Sequence, residues 1–419
     1  MKRYFYITTF IIGIFQAGFS QSLNELIDSA IVSSPELKML EAKINVASNR
    51  IEQNTNLPNP MLSLGLMNLP VSSFSFSEEP MTMKVVGLSQ EIPFPGMLST
   101  KADVNRKDVD IVWQEYYDSR NELIKKVSQS YYELLNIRKE IGLTKQQIKL
   151  MQDISEVVKV KYSVSESSQQ NLFRIDLELT NMAEMLSALK GEEAEQVSTL
   201  NAYLLRNYQT TVFTDSFPSV RYSDKTVDEF VKLSEQNRPF LIGVNKAVEK
   251  AKLNQTLAEY DYYPMFKLSA QYAFRDKIES TGLPLDDMVS VMLDVSIPLN
   301  YGGKVTAMVE ETKSMQQMYE EQYLTSLQML RSEFGMITAR LKSLKERIEL
   351  IEQGSLIQAR ENLNSSLTAY QVGEIDFMNV VDAQNSLYII EKNLYRLRTD
   401  YLKLISELEF LTGTKLNSQ

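Results

Sequence analysis

The chain of 419 residues contains no cysteine and no histidine. These two residue types supply most zinc ligands, and histidine is the commonest general base, so the usual means of metal-dependent and acid–base catalysis are missing. The sequence also has no glycine-rich phosphate loop and no nucleophile elbow. We therefore expect a protein that is not an enzyme and that needs no cofactor and no resident metal.

Glycine and proline are also sparse, with 15 and 12 residues respectively, which favours long uninterrupted elements. The net charge of −10 argues against a nucleic-acid partner, because such a partner requires clustered lysine and arginine. After the N-terminal segment, no stretch approaches the ~18 consecutive apolar residues of a transmembrane helix. If the mature chain enters a membrane, it must do so with strands.

The N-terminal segment, MKRYFYITTFIIGIFQAGFSQS, has the features of a secretory signal peptide. Lys2 and Arg3 precede a short apolar run, and the small residues Gly18 and Ser20 mark a cleavage site. A membrane anchor is the alternative, but the apolar run is short for a bilayer span. We therefore expect residues 1–20 to be removed on export.

Proline and tyrosine landmarks of the first half recur in the second half, in the same order and at offsets of 204 to 208 residues. The pairs are Pro35 and Pro239, Pro60 and Pro264, Pro93 and Pro298, and Tyr162 and Tyr370. Because chance matches would not keep both order and spacing, the pattern predicts an internal duplication. The expected organisation is a first structural repeat over 21–215, a second over 216–413 and a C-terminal tail over 414–419.

Each half predicts the same order of elements: a helix of about 35 residues, a strand pair, a very long helix and a return helix. In the first half we expect helices over 23–56, 99–162 and 170–205 and strands over 61–69 and 81–92. In the second half we expect helices over 227–260, 304–370 and 377–411 and strands over 265–275 and 287–298. At 1.5 Å per residue the very long helices would measure roughly 90–100 Å. The fold class is therefore mainly α with a small β part.

The predicted strands alternate between apolar and polar residues. In 287–298, Val289, Val291 and Leu293 face one way and Ser290 and Asp294 the other. Strands of about ten residues suit a tilted crossing of a bilayer, although a half-buried soluble sheet gives the same alternation. Four strands cannot close a barrel, and lipid does not tolerate open edges, so either the sheet is soluble or several copies share one barrel.

Four segments, taken in their order along the chain, resemble the TolC family of outer-membrane channel proteins. They are SSPELKMLEAK, LSQEIPFPGML, VSIPLNYGGKV and AYQVGEIDFMNVVDAQNSLY. The resemblance implies a homotrimer whose strands form a 12-stranded membrane β-barrel, continued by a long periplasmic α-helical barrel. It also implies an outer-membrane channel subunit that works with a periplasmic adaptor protein and an inner-membrane pump, in contact with outer-membrane lipid.

The same resemblance places the constriction of the channel just after a turn at 371–376. The constriction of the family carries two acidic residues three positions apart, and the matching positions here are Asn379 and Asp382. Tyr370 matches a tyrosine of the same region. The alternative is that Asp376 caps a helix and Asp382 is a solvated helix residue.

The turns between the long and return helices are expected at the periplasmic tip, where the resemblance implies contact with the adaptor. The expected contact residues are Gly373, Glu374 and Asp376 in the second turn and Ser165 in the first. Gly373 also suits the left-handed conformation that ends a helix. Arg174 stands at the first-repeat position that matches Asp382, so we do not expect the two turns to be equivalent.

Methionines surround the first strand pair, at Met61, Met67, Met81, Met83 and Met97. Thioethers favour soft ions such as Cu(I), but methionine is also an adaptable apolar residue for a lipid-facing surface. The segment QEIPFPG resembles heavy-metal efflux members of the family more than exporters of drugs or proteins. The resemblance thus favours heavy-metal efflux without direct metal ligation, and drugs and proteins stay open as cargo. A secreted or periplasmic structural coiled-coil protein without a membrane barrel is the alternative function.

Overall fold

The computed structural model describes residues 22–218 and 225–416 of the chain. The predicted signal peptide lies outside the described residues, as do the last three residues of the predicted tail. Within these ranges, no helix is both long and apolar enough to cross a membrane. The chain divides into two compact units. The sheet unit comprises Lys38–Asp118 and Pro239–Met329, and the hairpin unit comprises the other described segments.

The described residues are mostly helical, with one small antiparallel sheet, which confirms the predicted fold class. The elements of the first half are α1 (Leu23–Ser33), α2 (Pro35–Thr55), β1 (Met61–Met67), β2 (Met83–Ile92), α3 (Met97–Ser163) and α4 (Gln169–Tyr203). Those of the second half are α5 (Val227–Asn237), α6 (Pro239–Glu259), β3 (Phe266–Phe274), β4 (Met288–Val295), α7 (Lys304–Leu350), α8 (Leu356–Gln371) and α9 (Phe377–Thr412). A π-helical segment, Ile351–Ser355, joins α7 to α8 without a break in the helix.

The prediction of single helices over 23–56 and 227–260 is wrong, because each is split in two by a proline. Pro35 and Pro239 are the first residues of α2 and α6. The preceding residues, Ser34 and Arg238, have non-helical ψ angles of 117° and 116°. Proline disfavours the helical conformation of the residue before it, and its missing N–H costs nothing in a first helical turn.

The sheet has the order β1-β2-β3-β4, and every neighbouring pair is antiparallel. Its register aligns Leu64, Val86, Tyr272 and Val289 in one row across the four strands. These side chains are 74%, 39%, 41% and 69% exposed, so one face of the sheet is apolar and open. Among the described residues, β1 and β4 each pair with one neighbour only, which leaves the outer edge of each without a strand partner.

The opposite face of the sheet carries small and polar side chains, including Ser63, Gln271 and Ser290 in one row with Gly87. A Cβ on Gly87 would lie 2.6 Å from the Ser63 Oγ and 2.9 Å from the Gln271 Cγ, so glycine lets these side chains approach. The methionines of the strands all share this face: Met61, Met67, Met83, Met288 and Met292.

The hairpin unit contains two helical hairpins. One consists of α3 from Ser119 onward with α4, and the other of α7 from Leu330 onward and α8 with α9. Val127, Leu134 and Ile141 are buried at every seventh position of α3, a spacing typical of long helices that pack along their length. An ion pair between Arg138 and Glu193, at 2.7 Å, joins α3 to α4. Both hairpins contribute to one unit, so the unit takes its segments from both halves of the sequence.

Candidate functional site at the two helical turns

Two short turns in the hairpin unit reverse the direction of the chain, one between α3 and α4 and one between α8 and α9. Each contains a residue with positive φ, which is 65° at Ser165 and 79° at Gly373. This left-handed conformation directs the chain away from the helix axis, and glycine adopts it without the steric cost of a side chain. The two residues lie 208 positions apart, as do Tyr162 and Tyr370.

The two turns share the same pair of backbone hydrogen bonds, which form a Schellman motif and satisfy carbonyls at the helix ends. In the first turn, the Glu166 N–H donates to the Lys161 carbonyl oxygen (2.8 Å) and the Ser165 N–H to that of Tyr162 (3.0 Å). In the second turn, the Glu374 N–H donates to the Ala369 carbonyl oxygen (2.9 Å) and the Gly373 N–H to that of Tyr370 (3.2 Å). The backbone of the first turn therefore matches that of the second, although it has serine where the second has glycine.

An apolar cluster next to the turns contains side chains from α3, α4, α8 and α9. Its members Met151, Val158, Ile175, Phe377 and Val380 are completely buried. Burial of each such side chain stabilises the fold by about 1.5–3 kcal/mol. The cluster thus holds the two hairpins together close to their turns.

Lys161 makes a direct contact between the two hairpins. Its Nζ donates a hydrogen bond of 2.9 Å to the Tyr370 carbonyl oxygen and lies 4.5 Å from the centroid of the Tyr370 ring. A cation over an aromatic ring contributes about 0.5–2 kcal/mol, depending on its exposure to water. The carbonyl also lies at the negative end of the α8 dipole, which favours a cation there.

Tyr370 is buried, with 7% of its surface exposed, and its ring packs edge-on to Phe377 at a centroid distance of 6.1 Å. Burial, and then the negative charge of Asp376, raise the pKa of the Tyr370 hydroxyl. Within the described part of the chain this hydroxyl has no hydrogen-bond partner, a loss of about 1–3 kcal/mol for a buried polar group. The structure therefore places Tyr370 in the core of the hairpin unit.

Asn379 and Asp382 are both exposed, and they lie one turn apart on the same face of α9. The Asn379 Nδ2 donates a hydrogen bond of 3.3 Å to the Asp376 carbonyl oxygen. Asp376 itself stands at the N-cap position of α9, but its carboxylate accepts no capping hydrogen bond. The structure brings Asn379 and Asp382 together, whereas the buried Tyr370 side chain does not share their exposed surface.

Three residues at the turns were not selected from the sequence. Val164 and Val372 occupy matching positions of the two turns, and 60% and 66% of their surfaces are exposed. A comparison of the two turns at the offset of 208 could have found this pair. Lys161 could not be found in this way, because its contact joins residues 209 positions apart in the two hairpins. Gly373, Glu374, Asp376 and Ser165 are all exposed at the turns.

A known protein family matches the chain in two segments, one from each half of the sequence. The family model described as "Outer membrane efflux protein" matches residues 26–164 and 230–414. These two segments contain both strand pairs, both long helices and the second turn.

Similar proteins cover nearly the whole chain. The outer membrane protein TolC of Vibrio cholerae is 20% identical over 95% of this chain and 92% of its own length. The cation efflux system protein CusC of Escherichia coli O6:H1 is 20% identical over 93% of this chain and 84% of its own length. A crystal structure of CusC superimposes with a TM-score of 0.76 at 19% identity, over 94% of this chain and 92% of that one.

Proposed function

The chain belongs to the outer membrane efflux protein family, as the resemblance to TolC predicted, and we propose that three copies form one passive duct across the outer membrane. A periplasmic adaptor and an inner-membrane pump would deliver substrate to this duct, which has no energy source of its own. Family membership favours this function over that of a secreted structural coiled-coil protein.

The observation that carries the proposal is the open sheet of the sheet unit. Its apolar face is exposed, and the outer edges of β1 and β4 have no strand partner among the described residues. Unpaired backbone groups are not tolerated in lipid, so the sheet must be completed by other strands before it can enter a membrane. Three copies supply twelve strands, enough for a closed barrel with the apolar face toward lipid and the polar face toward water.

The helical hairpins would continue the duct into the periplasm, with the turns at its tip. Threefold symmetry would bring three copies of the exposed face of Asn379 and Asp382 around the axis, as a ring of three amides and three carboxylates. Lys161 would keep the two hairpins together in the resting state. The exposed turn residues would contact the adaptor: Ser165, Gly373, Glu374 and Asp376, with the apolar side chains of Val164 and Val372.

We propose that the cargo is a cation of the kind that methionine thioethers bind. Because the barrel would direct its polar face inward, the methionines of the strands would line the duct rather than contact lipid. Met61 and Met292 stand in one row of that face with Ser89 and Ser269 between them. Thioethers favour Cu(I) and similar soft ions, and the relative CusC is named as a cation efflux protein.

Cell fractionation and native mass measurement test the duct. We expect the mature chain in the outer-membrane fraction and, after extraction with detergent, as a particle of three chains. A monomer that leaves the cells without detergent would contradict the proposal.

Silver binding tests the cargo separately from the duct. Replacement of Met61, Met67, Met83, Met288 and Met292 by leucine keeps the apolar volume and removes the thioethers. We expect the variant to remain trimeric and to retain less Ag+ than the parent when both are dialysed against dilute silver nitrate. Equal retention by the two trimers would exclude these methionines as cation contacts and leave the duct unaffected.

A further inference from the structure

The charged side chains on the polar face of the four described strands all stand in one row. They are Glu91 on β2, Lys267 on β3 and Asp294 on β4, and we call these three residues the charged row. Within the described strands, every other position of this face holds an uncharged residue. The register pairs Lys267 with both acids, so a base stands directly between two carboxylates.

The charged row lies at the end of the sheet from which the helices continue. The chain passes from α2 into β1 and from β2 into α3 at this end, and likewise from α6 into β3 and from β4 into α7. From the charged row to Met83 near the opposite end, β2 rises by roughly 27 Å. In the proposed duct, cargo from the helical part would therefore meet the charged row first and an uncharged wall beyond it.

A cavity of about 730 Å³ adjoins the charged row within the sheet unit. All three residues of the row line it, and the end of α2 and the beginning of α3 also contribute to its lining. Lys101 of α3 is the fourth charged residue among the lining residues. Each copy of the chain thus contributes two acids and two bases to this space, and their formal charges cancel.

The charges around the cavity are accessible and are not held in fixed pairs. Glu91 and Asp294 are exposed, and Lys101 and Lys267 are partly exposed. In the described part of the chain, none of these four side chains forms an ion pair. Opposite charges on paired strands attract each other only weakly where water screens them. Lys267 can therefore approach either carboxylate and compete there with a mobile cation.

A duct for cations has two opposing electrostatic requirements. Its wall must attract cations strongly enough for them to enter, yet weakly enough for them to leave. Carboxylates without a neighbouring base would retain cations, because charges of one sign that line a cleft raise the local concentration of the opposite ion. A base that belongs to the wall lowers this retention without closing the path.

We infer that Lys267 is a specificity-determining residue of the duct: its ammonium group is a tethered cation that neutralises Glu91 and Asp294 and prevents cationic cargo from being retained at the entrance of the barrel. Removal of this charge would leave each copy with two acids and one base around the cavity, so that three copies carry a net charge of −3. The inference rests on the proposed duct, because the charged row acts on cargo only where the polar face lines the path.

Planar-bilayer recordings across a KCl gradient test this role at low ionic strength, where screening is weakest. Lys267→Gln should shift the reversal potential toward that of a cation-selective channel and strengthen block by hexaamminecobalt(III), a trivalent cation whose own ligands keep thioethers from the metal. Lys267→Arg should behave as the parent. Asp294→Asn in the Lys267→Gln chain restores the charge balance and should return both measurements to the parental values. Lys84→Gln is the matched control, because it removes a lysine from the apolar face of the same sheet.

Thiol labelling of the assembled channel tests the position of the residue separately from its effect on assembly. The chain has no cysteine, so Lys267→Cys carries one thiol per copy. A water-soluble methanethiosulfonate reagent that attaches a trimethylammonium group should return the reversal potential of this variant toward that of the parent. A reagent that attaches a sulfonate should shift it further toward cation selectivity. Leu268→Cys, the next residue on the opposite face, should respond to neither reagent.

The outcomes separate this inference from the duct itself. If the parent is a conducting trimer but Lys267→Gln has the parental reversal potential and block, or shifts them no more than Lys84→Gln does, the role of Lys267 is wrong and the duct stands. Loss of the trimer in both Lys267→Gln and Lys267→Cys would also overturn it, since the lysine would then be needed for assembly. A parent that is monomeric by native mass, or that carries no current, would overturn both the duct and the inference.

Discussion

At the scale of single residues, two glycines at helix ends are required for different reasons, one by its backbone conformation alone and the other also by a lack of space for a side chain. Gly413 ends α9 with a φ of 70°, and a Cβ there would lie 2.3 Å from the Asn237 carbonyl oxygen. Gly373 has a φ of 79° but no atom within 4 Å of the position of a Cβ. Gly373→Ala should therefore cost only the left-handed strain, ~1 kcal/mol, whereas Gly413→Ala should cost more than ~2 kcal/mol because backbone must also move. Thermal unfolding followed by circular dichroism measures the loss of folding stability in each variant. Equal losses would show that the backbone at Asn237 can move away from the new Cβ at little cost.

Glu409 is a partly buried carboxylate of α9, and its Oε1 accepts a hydrogen bond of 3.0 Å from the Leu416 N–H. Burial raises the pKa of the Glu409 carboxyl in the folded protein. Ionisation at neutral pH therefore costs more in the folded state than in the unfolded state, and this cost disappears as the pH falls through the raised pKa. Glu409→Gln keeps an acceptor for Leu416 and should raise the unfolding temperature at pH 7. The gain should shrink toward pH 4, and a gain that grows in acid would contradict the direction of the shift.

Single residues could be predicted from the sequence where the cause is local. Gly373 is an example, because a glycine after a helical pattern is the usual end of a helix. Ser165 has the same conformation, but serine gives no local signal for it, and only the repeat relates it to Gly373. The burial of Tyr370 under Lys161 depends on a partner from the other hairpin, so no local pattern could reveal it.

At the scale of elements, the strands follow from the alternation of their side chains, but the sheet register does not. β2 alternates poorly because Lys84 stands on the apolar face, where its Nζ pairs with Asp276 at 2.8 Å near the strand end. The split of the first helix follows from Pro35, which the sequence shows plainly and the prediction of one long helix overlooked. The π-helical segment has no such marker, since one inserted residue leaves the apolar spacing on either side unchanged.

The two faces of β4 should respond differently to a charge. Leu293 pairs across the sheet with Leu268 on the apolar face, whereas Ser290 pairs with Gln271 on the polar face. A charge that faces the middle of a bilayer costs up to about 2–4 kcal/mol, and aspartate less than lysine or arginine. Leu293→Asp should therefore reduce the amount of trimer in the outer membrane, because each trimer would place three such charges against lipid. Ser290→Asp should leave the amount of trimer unchanged. Heat-modifiable migration on gels of membrane fractions compares the two, and equal assembly would mean that the faces are assigned wrongly.

At the scale of the whole molecule, an approximate duplication allows equivalent hairpins to have different neighbours. The turns agree in backbone hydrogen bonds and in their exposed valines, Val164 and Val372. They differ in side chains that would face the axis or the next copy, as with Arg174 and Asp382. The sequence could show the repeat and these differences, but it could not show which helix flanks meet, because that depends on the packing order of the hairpins.

Lys161 should control how readily the two hairpins separate. Lys161→Met keeps the apolar stem but removes the hydrogen bond to the Tyr370 carbonyl and the cation over its ring, a loss of about 1–2 kcal/mol. We expect a larger resting conductance in planar bilayers. Lys159→Met is the matched control, because among the described residues Lys159 forms its ion pair with Glu156 of its own helix and not with the other hairpin. If the two variants conduct alike, the Lys161 contact does not hold the resting state.

Asp382 should determine the charge at the narrowest part of the duct. Its carboxylate is exposed on α9, one turn after Asn379, and three copies around the axis would attract cations. Asp382→Ala should reduce cation selectivity and block by multivalent cations in planar-bilayer recordings. It should change trimer stability by less than ~0.5 kcal/mol, because a solvated carboxylate contributes little to the fold. Asn379→Asp should strengthen both electrical effects, since it adds a second ring of carboxylates about 4.5 Å along the helix. Unchanged selectivity and block in both variants would mean that Asp382 is a solvated residue of α9 and that the constriction lies elsewhere.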